Sequence, residues 1–164
     1  MDLGNYSTED LILSALKAEV EAKHVYTTLA EGVKNAYLKG RLQFLAEEEE
    51  KHRAFLDQLF KNEFGGREPV LPEASPVPMP DLKIPTERVP ISTVFNAGME
   101  AERAASEFYA AMATRWGKGS EPYDMLMYFS KMEMGHYRLL ETERDAAADF
   151  EEFDSVWPLM HAGP

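Results

Sequence analysis

Two short motifs in the chain place a histidine three residues after a glutamate. Glu49 and His52 form one pair, and Glu133 and His136 form the other. In an α-helix this spacing puts both side chains on one face, so both can reach the same metal ion. A carboxylate and an imidazole, with no sulfur ligand, suit iron or manganese better than structural zinc. The motifs therefore indicate a metal site, provided that their helical faces point inward.

The apolar stripes of the predicted helices indicate which faces point inward. Each of four stripes is interrupted near its middle by ionisable residues, which are Glu19 in the first, Glu102 in the third and the two Glu-x-x-His pairs in the others. Burying carboxylates is costly unless protons, cations or metal ions compensate them. Two divalent ions would balance four glutamates, and two neutral imidazoles would complete the coordination. We therefore predict a buried metal site formed by Glu19, Glu49, His52, Glu102, Glu133 and His136.

A third Glu-x-x-His pair, Glu21 and His24, lacks this setting. Its helical face is polar and carries Asp10, Ser14, Lys17, Thr28 and Glu31. We therefore expect this third pair to be solvated.

The two halves of the chain repeat at a nearly constant offset. Glu19 and Glu102 are 83 residues apart (102 − 19), as are Tyr26 and Tyr109 (109 − 26), and the two Glu-x-x-His pairs are 84 apart (133 − 49). A duplicated helical hairpin predicts a pseudo-twofold bundle with two metal ions straddling its axis. The tyrosines lie two turns after the repeated glutamates, and we expect them to donate hydrogen bonds to metal-binding carboxylates, with core packing as the alternative.

Helical periodicity predicts helices at about residues 7–35, 37–62, 92–117 and 121–148. The run Ser7-Thr8-Glu9-Asp10 resembles a capping box, and Ser92 and Ser120 are the expected N-caps of the third and fourth helices. The short links make each consecutive pair of helices an antiparallel hairpin. The tail, residues 149–164, is apolar enough to dock on the bundle or on a partner, and its His161 is a weaker candidate ligand.

The link between the hairpins, residues 65–90, contains seven prolines, at positions 69, 72, 76, 78, 80, 85 and 90. Prolines exclude a helix and favour an extended strap. A strap of this length can run the full height of the bundle and make the third helix parallel to the second. Neither half could bury its apolar stripes alone, so we expect one all-α domain, residues 1–164, with the architecture of a ferritin-like four-helix bundle.

Composition excludes several classes of function. The net charge of -12 disfavours nucleic acids and anionic membranes as partners. The absence of cysteine excludes disulfides, thiolate catalysis and iron–sulfur clusters. With neither a signal peptide nor an apolar run of transmembrane length in the sequence, we expect a cytoplasmic protein.

Together these residues resemble the rubrerythrin family of ferritin-like diiron-carboxylate proteins, whose pattern is one Glu from each of two helices and Glu-x-x-His from the other two. The resemblance covers nearly the whole chain. It implies that Glu49 and Glu133 bridge two iron ions and that Glu19 and Glu102 are terminal ligands. It further implies that His52 and His136 each bind one metal.

The chain departs from full-length rubrerythrins in two ways. It lacks a four-cysteine rubredoxin domain, so electrons would come from a separate donor such as a rubredoxin-like protein. Members of that type also carry a further carboxylate ligand one turn after the third-helix glutamate, where this chain has Ala105, matched by Ala22 in the first half. This difference leaves oxidase or ferroxidase behaviour open beside peroxidase chemistry.

The resemblance implies a diiron oxidoreductase that reduces hydrogen peroxide or dioxygen. The expected cofactor is two iron ions, with manganese or a mixed pair as alternatives, and the expected assembly is a homodimer. Three other hypotheses remain: an iron-handling ferroxidase of the mini-ferritin kind, a non-enzymatic helical bundle that binds a partner, and an oxygenase, for which the sequence specifies no substrate pocket.

Overall fold

The computed structural model describes residues 1–80, 82 and 90–156, with side chains described as far as residue 147. The prediction about His161 lies outside this part of the chain. Four helices and no strands are found within it: α1 (Thr8–Gly32), α2 (Ala36–Glu63), α3 (Ile91–Ala113) and α4 (Glu121–Val156).

Side-chain caps fix where the first two helices begin. The Ser7 hydroxyl accepts a hydrogen bond from the Asp10 amide at 3.1 Å, and the Asp10 carboxylate accepts one from the Ser7 amide at 3.0 Å. This reciprocal pair confirms the expected capping box. The Asn35 side chain caps α2 by accepting from the amides of Tyr37 and Leu38. The second helix therefore begins close to its predicted start.

Of the two N-caps predicted for α3 and α4, the structure contradicts the first and supports the second. Ser92 was expected to cap α3, but it lies inside the first turn, because the helix already begins at Ile91 with Pro90 at the N-cap position. The Ser120 hydroxyl accepts from the Tyr123 amide at 3.4 Å, as expected of an N-cap.

The last two helices also have different lengths from those expected. The third helix ends at Ala113 rather than near residue 117, and tighter turns follow it. The fourth continues to Val156, past its predicted end at about residue 148, so residues 149–156 are helical rather than part of a tail. Three consecutive alanines, residues 146–148, favour this continuation.

The two hairpins lie side by side. Helix α1 packs mainly against α2, and α3 mainly against α4, while α2 and α4 share a smaller contact. The Trp116 indole, just after α3, donates to the carboxylate of Glu63 at the end of α2. The Arg115 guanidinium donates to the carbonyl oxygen of Leu3, just before α1. These two contacts show that α3 runs parallel to α2 and antiparallel to α1.

The described part of the strap follows α1 from one end of the bundle to the other. Arg67 pairs with Glu9 near the start of α1. Further along, the buried amide of Val77 donates to the Ser14 hydroxyl at 3.2 Å. Leu82 then packs into the apolar cluster at the opposite end of the bundle, together with Val25 and Ala30. This path is the one expected of a strap that makes α2 and α3 parallel.

Two apolar clusters fill the bundle, one toward each end. Residues from all four helices form the first cluster, including Leu11, Leu56, Met112 and Leu126. The second cluster is built in the same way around Val25, Leu45, Phe95 and Leu140. The stripe interruptions predicted from the sequence lie between the two clusters. No helix in the described part of the chain combines the length and apolarity that a membrane span requires.

Replacement of Leu126 by alanine tests the packing of the first cluster. Leu126 is fully buried, so the variant should lower the free energy of unfolding by about 2–5 kcal/mol in urea titrations of metal-free protein. Leu71 is 42% exposed on the strap, and Leu71→Ala should change it by no more than about 0.5 kcal/mol. Equal losses in the two variants would contradict the described core.

Candidate metal centre

Six ionisable side chains meet between the two apolar clusters. They are Glu19, Glu49, His52, Glu102, Glu133 and His136. None of these side chains belongs to a residue that is more than 4% exposed. Each predicted stripe interruption therefore points inward, and the structure brings all six predicted ligands together.

The ligand atoms form two overlapping groups. One group contains Glu19 and His52, and the other contains Glu102 and His136, while Glu49 and Glu133 belong to both. Within each group the atoms lie within 4.8 Å of one another. Each group therefore has three carboxylates and one imidazole, and the groups are joined through two shared carboxylates.

The two histidines have nearly the same surroundings. The Nδ1 atom of His52 lies 3.0 Å from Glu133, 3.3 Å from Glu49 and 3.7 Å from Glu19. The Nδ1 atom of His136 lies 2.9 Å from Glu133 and 3.4 Å from Glu49, with Glu102 at 3.7 Å in place of Glu19. The approximate twofold symmetry expected from the sequence repeat is thus present in the site.

Several polar atoms in this layer have no hydrogen-bond partner. They are buried, and they comprise Glu49 Oε1, Glu133 Oε1, His52 Nδ1 and His136 Nε2. Buried polar atoms are normally paired, so an unpaired set on convergent side chains calls for an explanation. Carboxylate oxygens and imidazole nitrogens are the donors that iron and manganese accept. The residues therefore fit a metal-binding site.

In the absence of metal, protons supply the missing positive charge. Burial raises the pKa of the Glu19 and Glu102 carboxyls well above their usual range, and repulsion from Glu49 raises it further. Both carboxyls are therefore protonated over a wider range of pH than exposed glutamates.

The histidines are held in the charged form. Burial lowers the pKa of His52, but the carboxylates of Glu133, Glu19 and Glu49, which lie 3.0–3.7 Å from its Nδ1 atom, outweigh burial and raise it to about 12. The pKa of His136 is raised in the same way. Conversely, burial raises the pKa of Glu133, but its closeness to the two charged histidines outweighs this effect and lowers it to about 2. Bound cations would have to displace these protons.

The two tyrosines cross-link the halves of the site. Tyr26, in the first hairpin, donates to Glu102 in the second, and Tyr109 in the second donates to Glu19 in the first. Both tyrosines are buried. A hydrogen bond to a ligand carboxylate orients it and leaves its other oxygen for metal.

Sequence reasoning did not identify the aromatic neighbours of the histidines. The ring of Phe129 lies 4.1 Å from the ring of His52, and Phe44 meets His136 edge-on at 6.4 Å. Helical periodicity can place Phe129 on the inward face of α4, but it cannot tell which residue of another helix Phe129 will touch. These contacts help to fix the orientation of the imidazoles.

The other acidic residues nearby have different partners. His24 is exposed, and Glu21 pairs with Lys17 at 2.8 Å, so the third Glu-x-x-His pair lies outside the site as expected. Glu48, the residue before Glu49, is also largely buried. It pairs with Lys51 at 2.5 Å and belongs to neither ligand group.

Comparison with known proteins supports the family resemblance and the fold. Residues 10–143 match the family model described as Rubrerythrin. Among solved structures, a hypothetical protein from Pyrococcus furiosus is similar, with a TM-score of 0.78 and 32% sequence identity over 91% of this chain and 95% of that chain. No curated protein matches the sequence. The four helices with their long crossover form a ferritin-like bundle.

Paired histidine variants test the metal site. His52 faces the shared carboxylates, so His52→Ala should lower the metal bound per chain after loading with Fe(II), Mn(II) or Zn(II), measured by elemental analysis of desalted protein. His24→Ala removes the exposed histidine of the third pair and should retain the full metal content. A similar loss in both variants, or in neither, would contradict the assignment.

The thermal stability of metal-free protein should fall as pH rises from about 6.5 to 9.5. Because the pKa of His52 is higher in the folded than in the unfolded protein, its charged imidazole stabilises the fold. This stabilisation is fully present below the usual histidine pKa of about 6.5 and is lost as pH rises toward 12. The raised pKa of Glu19 acts in the same direction. Zinc-loaded protein should not show this fall, since protons compete less with metal at higher pH. A melting temperature of the metal-free protein that rises over this range would disprove the account.

Proposed function

The chain belongs to the rubrerythrin family, and from that premise we propose that it is an oxidoreductase that reduces hydrogen peroxide or dioxygen at a diiron centre. Glu19, Glu49, His52, Glu102, Glu133 and His136 would hold the two irons. The observation that carries this proposal is the sharing of Glu49 and Glu133 by both ligand groups. Shared carboxylates suit two adjacent ions better than one ion or two independent ions.

The metal pair, when bound, would supply two electrons to a small oxidant that meets both ions. The protein's part is to hold and shield this pair. The two shared carboxylates fix the spacing of the ligand groups, and the tyrosine hydrogen bonds hold Glu19 and Glu102 in place. The apolar clusters limit the access of water to the layer from the two ends of the bundle. Electrostatic interactions between the buried groups are therefore stronger than they would be in water.

We propose a separate protein as the electron donor. The chain has no cysteine and therefore cannot hold a rubredoxin-type iron of its own. Each turnover needs two electrons, which a rubredoxin-like donor would deliver one at a time. We further propose that the chain forms a homodimer.

A ferroxidase is the second candidate, and the positions of Ala22 and Ala105 favour it. Ala105 stands where a further carboxylate ligand would complete the arrangement found in peroxidase-type members, and Ala22 is the matching residue of the first half. Without that carboxylate, the site has six ligands in a nearly symmetric arrangement. Iron storage would also need a closed shell of many subunits, so light scattering that finds only monomers or dimers would exclude storage.

Oxidation of the iron-loaded protein tests the proposed function. Protein loaded anaerobically with Fe(II) should be oxidised rapidly by hydrogen peroxide, with one peroxide consumed per two irons, followed by absorbance in a stopped-flow instrument. Glu133→Ala removes a shared carboxylate and should slow this oxidation at least about 100-fold, because replacing even a hydrogen-bond partner of a metal ligand typically costs about 10–100-fold.

Glu48→Ala is the matched control, because Glu48 is also a largely buried glutamate but pairs with Lys51 outside the site. It should oxidise at close to the wild-type rate. Slow, substoichiometric oxidation of the wild type, no faster than that of Glu133→Ala, would refute the proposed function. Metal analysis should accompany each rate, so that the loss of iron is distinguished from the loss of reactivity.

A further inference from the structure

A cavity of about 380 Å³ reaches the ligand layer from one side of the bundle. It lies between α1 and α3 beneath the strap, and its inner end is formed by the four candidate ligand carboxylates, Glu19, Glu49, Glu102 and Glu133. Neither histidine lines it. The cavity therefore opens on the carboxylate side of the centre, opposite the imidazoles and their aromatic neighbours.

Four alanines keep this space open. Ala18 and Ala22 line it from α1, and Ala101 and Ala105 line it from α3. The two pairs are related by the sequence repeat, since each is separated by 83 residues (101 − 18 and 105 − 22). Side chains of ordinary size at these positions would fill the cavity. Both halves of the chain therefore contribute matching small residues to its walls.

The carboxylates at the inner end connect this space with the ligand layer. Glu49 and Glu133 both line the cavity, and both belong to the two ligand groups. A ligand in this space would therefore lie next to the carboxylates that the two ligand groups share.

The size of the cavity exceeds the needs of hydrogen peroxide. A water molecule occupies about 30 Å³ in the liquid, and hydrogen peroxide has only one more heavy atom. Cavities of about 300–1,000 Å³ are typical of sites that bind organic molecules. The strap adds Met79 and Leu82 to the alanine walls, so that about half of the lining residues are apolar. The size of the cavity and these apolar walls favour a ligand with a hydrocarbon portion.

The charges around the cavity restrict the ligand further. At its exposed rim, Lys17 is paired with Glu21 at 2.8 Å, and Glu73 adds another negative charge. An organic anion would meet this excess of negative charge before it reached the centre. A neutral molecule would meet no such repulsion, and its hydrocarbon part would be covered by the strap.

We propose that this cavity binds neutral organic hydroperoxides, ROOH, and that these are substrates of the centre beside hydrogen peroxide. This inference rests on the proposed function. The hydroperoxide group would lie at the carboxylate end, with the hydrocarbon between the alanines and the strap. Its O–O bond would be cleaved with two electrons and two protons to give ROH and water. The electrons would come from the reduced centre, which the separate donor protein replenishes, and the protons from solvent.

Binding can be measured without turnover by using the alcohol product of cumene hydroperoxide. Zinc-loaded protein with ¹³C-labelled alanine methyl groups would be titrated with cumyl alcohol and followed by NMR. The methyl signals of Ala18, Ala22, Ala101 and Ala105 should shift together, while that of Ala54, exposed on α2, should not. Absence of shifts at the four cavity alanines would overturn the proposal.

The kinetic test compares two oxidants on the same iron-loaded protein. Cumene hydroperoxide and hydrogen peroxide should both oxidise the wild type rapidly. Ala101→Leu should lower the ratio of the cumene hydroperoxide rate to the hydrogen peroxide rate about ten-fold or more, because it narrows the cavity. It should also weaken binding of cumyl alcohol, whereas Ala54→Leu should change neither quantity.

The outcomes with the two oxidants distinguish the hydroperoxide inference from the proposed function. Oxidation by hydrogen peroxide but not by cumene hydroperoxide would overturn the hydroperoxide inference and leave the proposed function intact. Failure with both oxidants would refute the proposed function, and the inference with it. Should Ala101→Leu fail to fold, the wild-type NMR titration still tests binding in the cavity, and the wild-type rates still test whether cumene hydroperoxide is a substrate.

Discussion

The whole structure depends on balancing negative charge inside an apolar bundle. Four glutamates and two histidines are buried in a layer between two apolar clusters. Such a layer cannot persist as bare carboxylates, since each buried charge without compensation costs several kcal/mol. Protons on the imidazoles and on Glu19 and Glu102 compensate it without metal, and bound cations would replace them. We therefore expect the stability of the fold to depend on metal and on pH.

Because of the approximate twofold symmetry, both hairpins contribute to the compensation of the buried charge. Each ligand group takes one carboxylate from the opposite hairpin, and each tyrosine donates to a glutamate of the opposite hairpin. The strap breaks the symmetry, because it covers the side between α1 and α3 and packs on Ser14. One face of the centre therefore has a roofed cavity, and the other has histidines backed by Phe129 and Phe44.

Sequence reasoning predicted the ligand layer because helical periodicity is a local property. It separated His52 and His136 from the solvated His24 by the polarity of their helical faces. It placed the cap of α3 at Ser92 wrongly, because the helix begins at Ile91, directly after Pro90 at the N-cap position. The cavity and the Phe129 contact could not be predicted, because both depend on the path of the strap and on how helices face one another.

The crossed contacts between the hairpins also bear on how such a centre can be assembled. A lone hairpin of this kind carries half of the required ligands, and a second copy of the same hairpin would supply the rest. Two identical short chains would then form the layer only at concentrations that favour their association. Joining them through residues 65–90 turns that encounter into an intramolecular one, with an effective concentration set by the linker. The proline-rich segment thereby makes the integrity of the centre independent of protein concentration, and it frees each half to diverge.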